Sequence, residues 1–228
     1  MAGRRSYGSY NDGCASAHAL DLIGERWALI VVRELFLGPK RFIDLQRDVP
    51  GIGPAVLTAR LRELEAGGIV RQRRLPPPAA TRIYELTDWG LGLETVNAVL
   101  SAWAVQSPAM PFEADMSPDT LVLAMRAHAR PVPGADSRVV LWLTDSRTPD
   151  RQPVSYLATV SESGTTVVRA ADPGDADARV QATTAAWKAC VIAGVGLDDS
   201  EVAVRGSRQA VQHLLDGTRL LPHSRSGG

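Results

Sequence analysis

Apolar residues in the first hundred positions recur every three or four, and glycine and proline cut the pattern into short pieces. Ala15, Ala19, Leu22 and Ile23 predict a helix over residues 14–23. Trp27, Ile30, Val31, Leu35 and Phe36 predict a second over 25–37, ended by Gly38-Pro39. Phe42, Leu45 and Val49 give the inner face of a third, shorter helix stopped at Pro50. Pro54 suits a first helical turn, because its φ is fixed and its missing N–H would be unpaired there anyway. Leu57, Leu61 and Leu64 then share one side of a helix, while Ala55, Ala59, Arg62 and Ala66 share the other, with Thr58 at the border. Gly67-Gly68 closes it.

Residues 69–74 and 82–86 read as two strands joined by Leu75-Pro76-Pro77-Pro78-Ala79-Ala80-Thr81. Proline cannot extend a ladder, so this loop is expected to be a stiff protruding tip. Thr87 and Asp88 open a long helix whose apolar positions are Leu91, Leu93, Val96, Val99, Leu100 and Trp103. That stripe is broader than one packing face needs, which predicts a homodimer interface or a docking surface for the rest of the chain. Residues 105–118 hold three prolines and little pattern, so a domain boundary belongs there.

Beyond it the period changes. Ser117-Pro118-Asp119 starts a helix over 120–128, and 139–144, 154–161 and 165–169 read as strands. A fourth strand at 179–182, a helix over 185–193, a strand at 201–205 and a closing helix over 208–216 complete the half. The expected class is α+β. It comprises a flexible arm (1–12), a mostly helical domain with a β-hairpin (13–106), a linker (107–116), an α+β domain with a mainly antiparallel sheet (117–222) and a tail (223–228).

A chain of 228 residues suits two domains, each able to bury its own core. Its charges sum to zero, and neither half is far from balance: 13 basic and 11 acidic side chains in residues 1–110, then 12 and 14. Nucleic-acid affinity must therefore come from a local patch. Two cysteines, Cys14 and Cys190, are too few for a disulfide framework and fit a reducing compartment. The N-terminus lacks the apolar core of a signal peptide, and no apolar run reaches the roughly 18 residues of a membrane helix. A cytoplasmic protein without membrane contact is expected. Four scattered histidines show no metal spacing or nucleophile partner, and Gly194-Val195-Gly196 lacks the flanks of a nucleotide loop. No enzyme, metal or cofactor is expected.

The patch exists. Between Arg60 and Arg82 lie six arginines (60, 62, 71, 73, 74 and 82) and only two acids, Glu63 and Glu65. A short helix, a tight turn at Pro50-Gly51-Ile52-Gly53, a second helix and a basic hairpin follow in the order of a winged helix-turn-helix, which places its second helix in the major groove of double-stranded DNA. Pro54 opens the second helix, and Ala55, Thr58 and Ala59 are small enough for the backbone to approach base edges, with methyl groups that suit thymine; all four are expected at the DNA. Arg62 reaches a guanine edge or a phosphate, and Arg73, Arg74 and Arg82 straddle phosphates or enter the minor groove.

Over about ninety residues the chain resembles the HxlR-type regulators, a branch of the MarR-like winged-helix transcription factors of bacteria. The match is carried by Cys14, Gly24-Glu25-Arg26-Trp27, Arg33-Glu34-Leu35, Gly38, Arg41-Phe42, Pro50-Gly51-Ile52, Leu57, Arg60-Leu61, Leu64-Glu65, Gly68-Ile69-Val70, Tyr84-Glu85-Leu86-Thr87, Gly90, Leu93 and Trp103. The resemblance implies a homodimer built by the terminal helices of this domain on a pseudo-palindromic operator. Two positions depart from it: Gly53 replaces a capping serine, and Ala55 replaces a basic residue. Some members sense oxidants or electrophiles through an early cysteine, which makes Cys14 a candidate redox sensor; the alternative is an inert buried thiol.

In the second half, Asp177-Ala178-Arg179-Val180 before a threonine-rich helix start, and 202–207 before an amphipathic helix, resemble sterol-carrier-protein-like domains. That resemblance implies a pocket for a hydrophobic small molecule lined by Leu141, Leu143, Tyr156, Leu157, Trp187 and Leu214; the alternative is a packed core. The combined expectation is a homodimeric DNA-binding regulator, by default a repressor because a small dimer blocks polymerase more readily than it recruits it, tuned by an apolar effector. Two rivals are a lipid or small-molecule carrier or enzyme using the winged helix only to dimerise, and a protein–protein adaptor.

Overall fold

The structure is a computed structural model that describes residues 9–77 and 80–220. Residues 1–8 of the expected arm, Pro78 and Ala79 of the loop, and 221–228 with the expected tail lie outside the described residues. Ser9 and Tyr10, in the rest of the arm, are held by Asp21, which accepts from the Ser9 hydroxyl and the Tyr10 N–H, each at 2.9 Å. Two units divide the chain between Asn97 and Ala98.

The first unit runs α1 (Ala15–Ile23), α2 (Ala28–Arg33), β1 (Lys40–Arg41), α3 (Phe42–Asp48), α4 (Pro54–Ala66), β2 (Val70–Arg74), β3 (Arg82–Leu86) and α5 (Asp88–Leu91), and α6 (Leu93–Ala104) crosses the division. Its core holds Val31, Val32, Leu35, Leu45, Leu57, Leu61 and Leu64, with Ile69 and, from the sheet β1-β3-β2, Val70, Ile83 and Leu86, whereas Trp27, Ile30 and Phe42 of the expected inner faces are only half-buried.

Three local outcomes differ from the pattern. Helix α2 is shorter than the expected 25–37, because Trp27 takes a left-handed backbone (φ 79°) before it. After Arg33 the chain tightens: Leu35 and Phe36 donate three residues back, to the Val32 and Arg33 carbonyls, and still reach the core. Strand β1, two residues long, carries no periodicity to detect. The long helix at 88–103 is broken at Gly92. Thr87 fixes that start, accepting from the Gly90 N–H at 3.0 Å and donating to the Gly68 carbonyl at 2.8 Å. A Cβ at Gly90 would collide with the Ile69 carbonyl, so glycine lets α5 lie against the hairpin base.

The second unit holds α7 (Pro118–Ala127), β4 (Asp136–Thr144), β5 (Val154–Ser161), β6 (Gly164–Arg169), β7 (Ala178–Thr183), α8 (Thr184–Val191), β8 (Ala203–Gly206) and α9 (Arg208–Thr218). Ser117, Thr183 and Ser207 cap the three helices, each side chain accepting from the N–H three residues on. The sheet order is β6-β5-β4-β7-β8, antiparallel except for the parallel pair β4/β7. One sheet face carries Val139, Leu141, Leu143, Tyr156, Ala158, Val167 and Val180, fully buried with Leu121, Met125, Trp187 and Leu214 of the helices. On the other face Trp142 and Leu157 are half-buried and Arg138, Val168 and Arg205 exposed. Strand β4 begins at Asp136, earlier than its apolar run, because pairing with β5 carries polar residues along.

Candidate nucleic-acid interface

Helix α4 buries Leu57, Leu61 and Leu64, and this fixes which side faces outward. Pro54 and Ala55 are exposed, Thr58 and Ala59 half-exposed, and Arg62 exposed. The structure thus brings all five predicted helix positions onto one outward side. Thr58 donates its hydroxyl to the Pro54 carbonyl at 2.8 Å, satisfying that group within the helix. Val56, 42% exposed, adds an apolar side chain that the helical pattern had not singled out. Gly53 is the extended cap residue, makes no side-chain cap bond, and has open space around its missing Cβ.

The hairpin β2/β3 pairs Arg71 with Glu85, Arg73 with Ile83 and Arg74 with Arg82. Alternation puts Arg71, Arg73 and Glu85 on one side, and Arg74, Arg82, Gln72 and Tyr84 on the other. The two sides differ in charge. Glu85 accepts from Arg71 Nε at 2.8 Å and from Arg73 Nε and Nη2 at 3.1–3.3 Å. The Arg73 hydrogen bonds first, and those of Arg71 with both charges after them, outweigh burial and hold its carboxyl below the usual carboxylate range. Arg74 and Arg82 sit opposite each other, both exposed, and neither pairs with a carboxylate among the described residues. Arg74 Nε reaches only the Ala80 carbonyl, at 3.4 Å. Arg60 is also spoken for, by Glu63 at 2.6 Å and Glu25 at 3.5 Å. Of the six arginines, Arg62, Arg74 and Arg82 remain without an acidic partner among the described residues.

An ion chain centred on buried Lys40 lies next to the hairpin. Lys40, 5% exposed, donates to Glu34 at 2.8 Å and Asp48 at 2.9 Å. Arg33 adds to Glu34 at 3.1 Å, and Arg47 bridges Asp48 and Asp44 at 2.7 and 2.6 Å. The chain joins the end of α2, strand β1 and α3, and Lys40 is in register with Tyr84 of the hairpin. Composition hides this, because a buried lysine looks like any surface lysine in sequence.

Cys14 is exposed at the cap of α1, its Sγ 3.0 Å from the Ser16 hydroxyl. That bond, then the Ser16 and Ala17 backbone N–H groups, lowers its thiol pKa. Cys190 is buried, and burial raises its pKa. On α6, Val96, Val99, Leu100 and Trp103 are exposed, Trp103 at 73%. Five of the six predicted pocket residues, Leu141, Leu143, Tyr156, Trp187 and Leu214, are fully buried. Leu157 is not with them: it pairs with Val140 on the opposite sheet face, since adjacent strand residues alternate. Tyr156 donates to Asp119 at 2.6 Å and the Trp187 N–H points at Met125 Sδ, 3.4 Å away. No metal-holding cluster and no helix long and apolar enough to cross a membrane occur among the described residues.

Residues 22–110 match the HxlR-like helix-turn-helix family. Similar proteins include the HTH-type transcriptional regulator YodB of Bacillus subtilis, 39% identical over 88 residues, covering 39% of this chain and 79% of that protein. The uncharacterized HTH-type transcriptional regulator YybR of B. subtilis is 34% identical over 106 residues, covering 45% and 82%. Among solved structures, the reduced form of YodB from B. subtilis shares 36% identity over 42% of this chain and 95% of that one, with a TM-score of 0.39.

Proposed function

The chain belongs to the HxlR-like helix-turn-helix family, and we propose that it is a DNA-binding transcriptional regulator, a homodimeric repressor on a pseudo-palindromic operator. The relatives named above are transcriptional regulators, which are not enzymes. The observation that carries the reading is the Arg74–Arg82 pair. Like charges directly opposite on a hairpin destabilise it, so an unrelieved pair beside a bare helix face is best explained by an external polyanion. The apolar stripe Val96, Val99, Leu100 and Trp103 supports the dimer, because so much exposed apolar surface on one helix is costly in a monomer. Anisotropy of a labelled duplex from the chain's own upstream region, against a scrambled duplex, tests it. Selective, salt-sensitive binding is expected; no binding to either duplex at low salt would leave the carrier or adaptor reading.

A second reading concerns control. Cys14 is exposed with a lowered pKa and a hydroxyl at its sulfur, which supports its reaction with oxidants or electrophiles. Diamide or quinone should change DNA binding in the wild type and leave Cys14→Ser unaffected; an equal response in both removes Cys14 from the mechanism. The second unit is proposed to take an apolar effector between its sheet and helices, shifting the population of operator-competent dimers. Native mass spectrometry of the full chain for a copurified lipid-like mass tests that part.

A further inference from the structure

The geometry points to Glu85 as an internal counter-anion of the wing, a positioning residue that competes with DNA phosphate for Arg71 and Arg73 and thereby restrains affinity. The inference rests on the DNA-binding reading. One carboxylate, on a side chain only 14% exposed, pairs with two arginines whose side chains are 65% and 51% exposed. Arg73 commits Nε and Nη2 to Glu85, and Arg71 commits Nε, at distances of 2.8 to 3.3 Å. Both arginine side chains stay more than half exposed while so engaged. A phosphate arriving there meets a triad of net charge +1, in which a fixed negative charge lies one guanidinium behind the contact.

Two effects follow, and they oppose each other. Within the fold, Glu85 relieves repulsion between Arg71 and Arg73, two residues apart on the same side of β2. Toward DNA, it repels phosphate and already occupies the place of one counterion. A purely structural residue would lower stability and binding together when removed. A counter-anion does the reverse to binding. The hairpin uses both solutions side by side: the Arg71/Arg73 side is internally compensated, and the Arg74/Arg82 side is not.

The test is Glu85→Gln in the full-length chain, with Glu85→Leu as a second variant that keeps strand-compatible bulk, read by anisotropy on a random-sequence duplex across a salt series and by thermal melting. The expected result is a lower melting temperature with roughly fivefold tighter binding at low salt, since one like charge near the contact is removed. The plot of log affinity against log salt should steepen by about 0.9, the equivalent of one counterion. A Glu85→Gln/Arg73→Gln double variant, which restores the net charge, should return the slope to near wild type. Wild-type binding with unchanged or weaker binding and an unchanged slope in both single variants overturns the inference while leaving the DNA-binding reading intact. Failure of wild type and variants alike to bind duplex at low salt overturns the reading itself.

Discussion

Replacing Arg74 and Arg82 together by alanine should leave the protein at least as stable and make it a weaker DNA binder. The two side chains face each other at the last rung of the hairpin before the loop, and no carboxylate among the described residues relieves them. Directly opposed like charges cost a hairpin about 0.2–1 kcal/mol, so their removal leaves the melting temperature unchanged or slightly raised. Binding behaves oppositely. If each guanidinium neutralises one phosphate, each contributes about 0.9 to the slope of log affinity against log salt, and the double variant flattens it by about 1.8. Between about 50 and about 200 mM salt, the ratio of wild-type to variant affinity should then shrink roughly twelvefold. Anisotropy on a random duplex measures this without knowledge of the operator, because phosphate contacts carry no sequence information. An unchanged slope would refute the wing contact. A fall in melting temperature would show that the pair has a stabilising partner and that the repulsion argument is wrong.

Gly53→Ser should stabilise α4 by a few tenths of a kcal/mol in urea denaturation, since the extended cap position has open space for a side chain and lacks a cap bond; a loss of stability would mean the turn needs glycine. Lys40→Met leaves Glu34 and Asp48 buried without their shared cation and should cost about 3–5 kcal/mol, read by the same denaturation; a cost near zero would show that water or Arg33 and Arg47 take over. The pH profile of iodoacetamide labelling should place Cys14 reactivity at lower pH than a free cysteine, because its hydrogen bonds favour the thiolate, whereas buried Cys190 should react only on unfolding. Equal labelling of both cysteines in the folded protein would contradict both shifts.

Much of the first unit was legible because helical spacing and breakers agree. Leu57, Leu61 and Leu64 define the inner side of α4, and the outward side follows by geometry alone. The wing was legible in outline and misleading in charge. Counting six arginines against two acids between Arg60 and Arg82 stops three residues short of Glu85, the acid that engages Arg71 and Arg73. Antiparallel pairing joins residues fourteen apart in sequence, so a linear window cannot assign partners. Lys40 escaped for a related reason. Its burial depends on α2 and α3 converging on a two-residue strand, and nothing local to Gly38-Pro39-Lys40 signals that.

The second unit marks a different boundary of legibility. Period-two alternation in β4, β5 and β7 identifies an inward face, and that face is buried as the alternation requires. The same alternation describes a wall packed against helices and a wall opened by a ligand, because both need apolar side chains facing in. Leu157 shows how the distinction fails at the level of a single residue. It is as apolar as its neighbour Tyr156, yet pairing with Val140 places it on the other face. Tyr156 and Trp187 are the informative positions. Each is fully buried with its polar group directed at a partner, Asp119 and Met125 respectively. An apolar effector entering between the sheet and helices must displace or slide past these two rings without stranding their donors, since an unsatisfied buried donor costs about 1–3 kcal/mol. Both partners lie on α7, so a ligand between sheet and helices would have to shift that helix or α8, or supply replacement acceptors for the two donors.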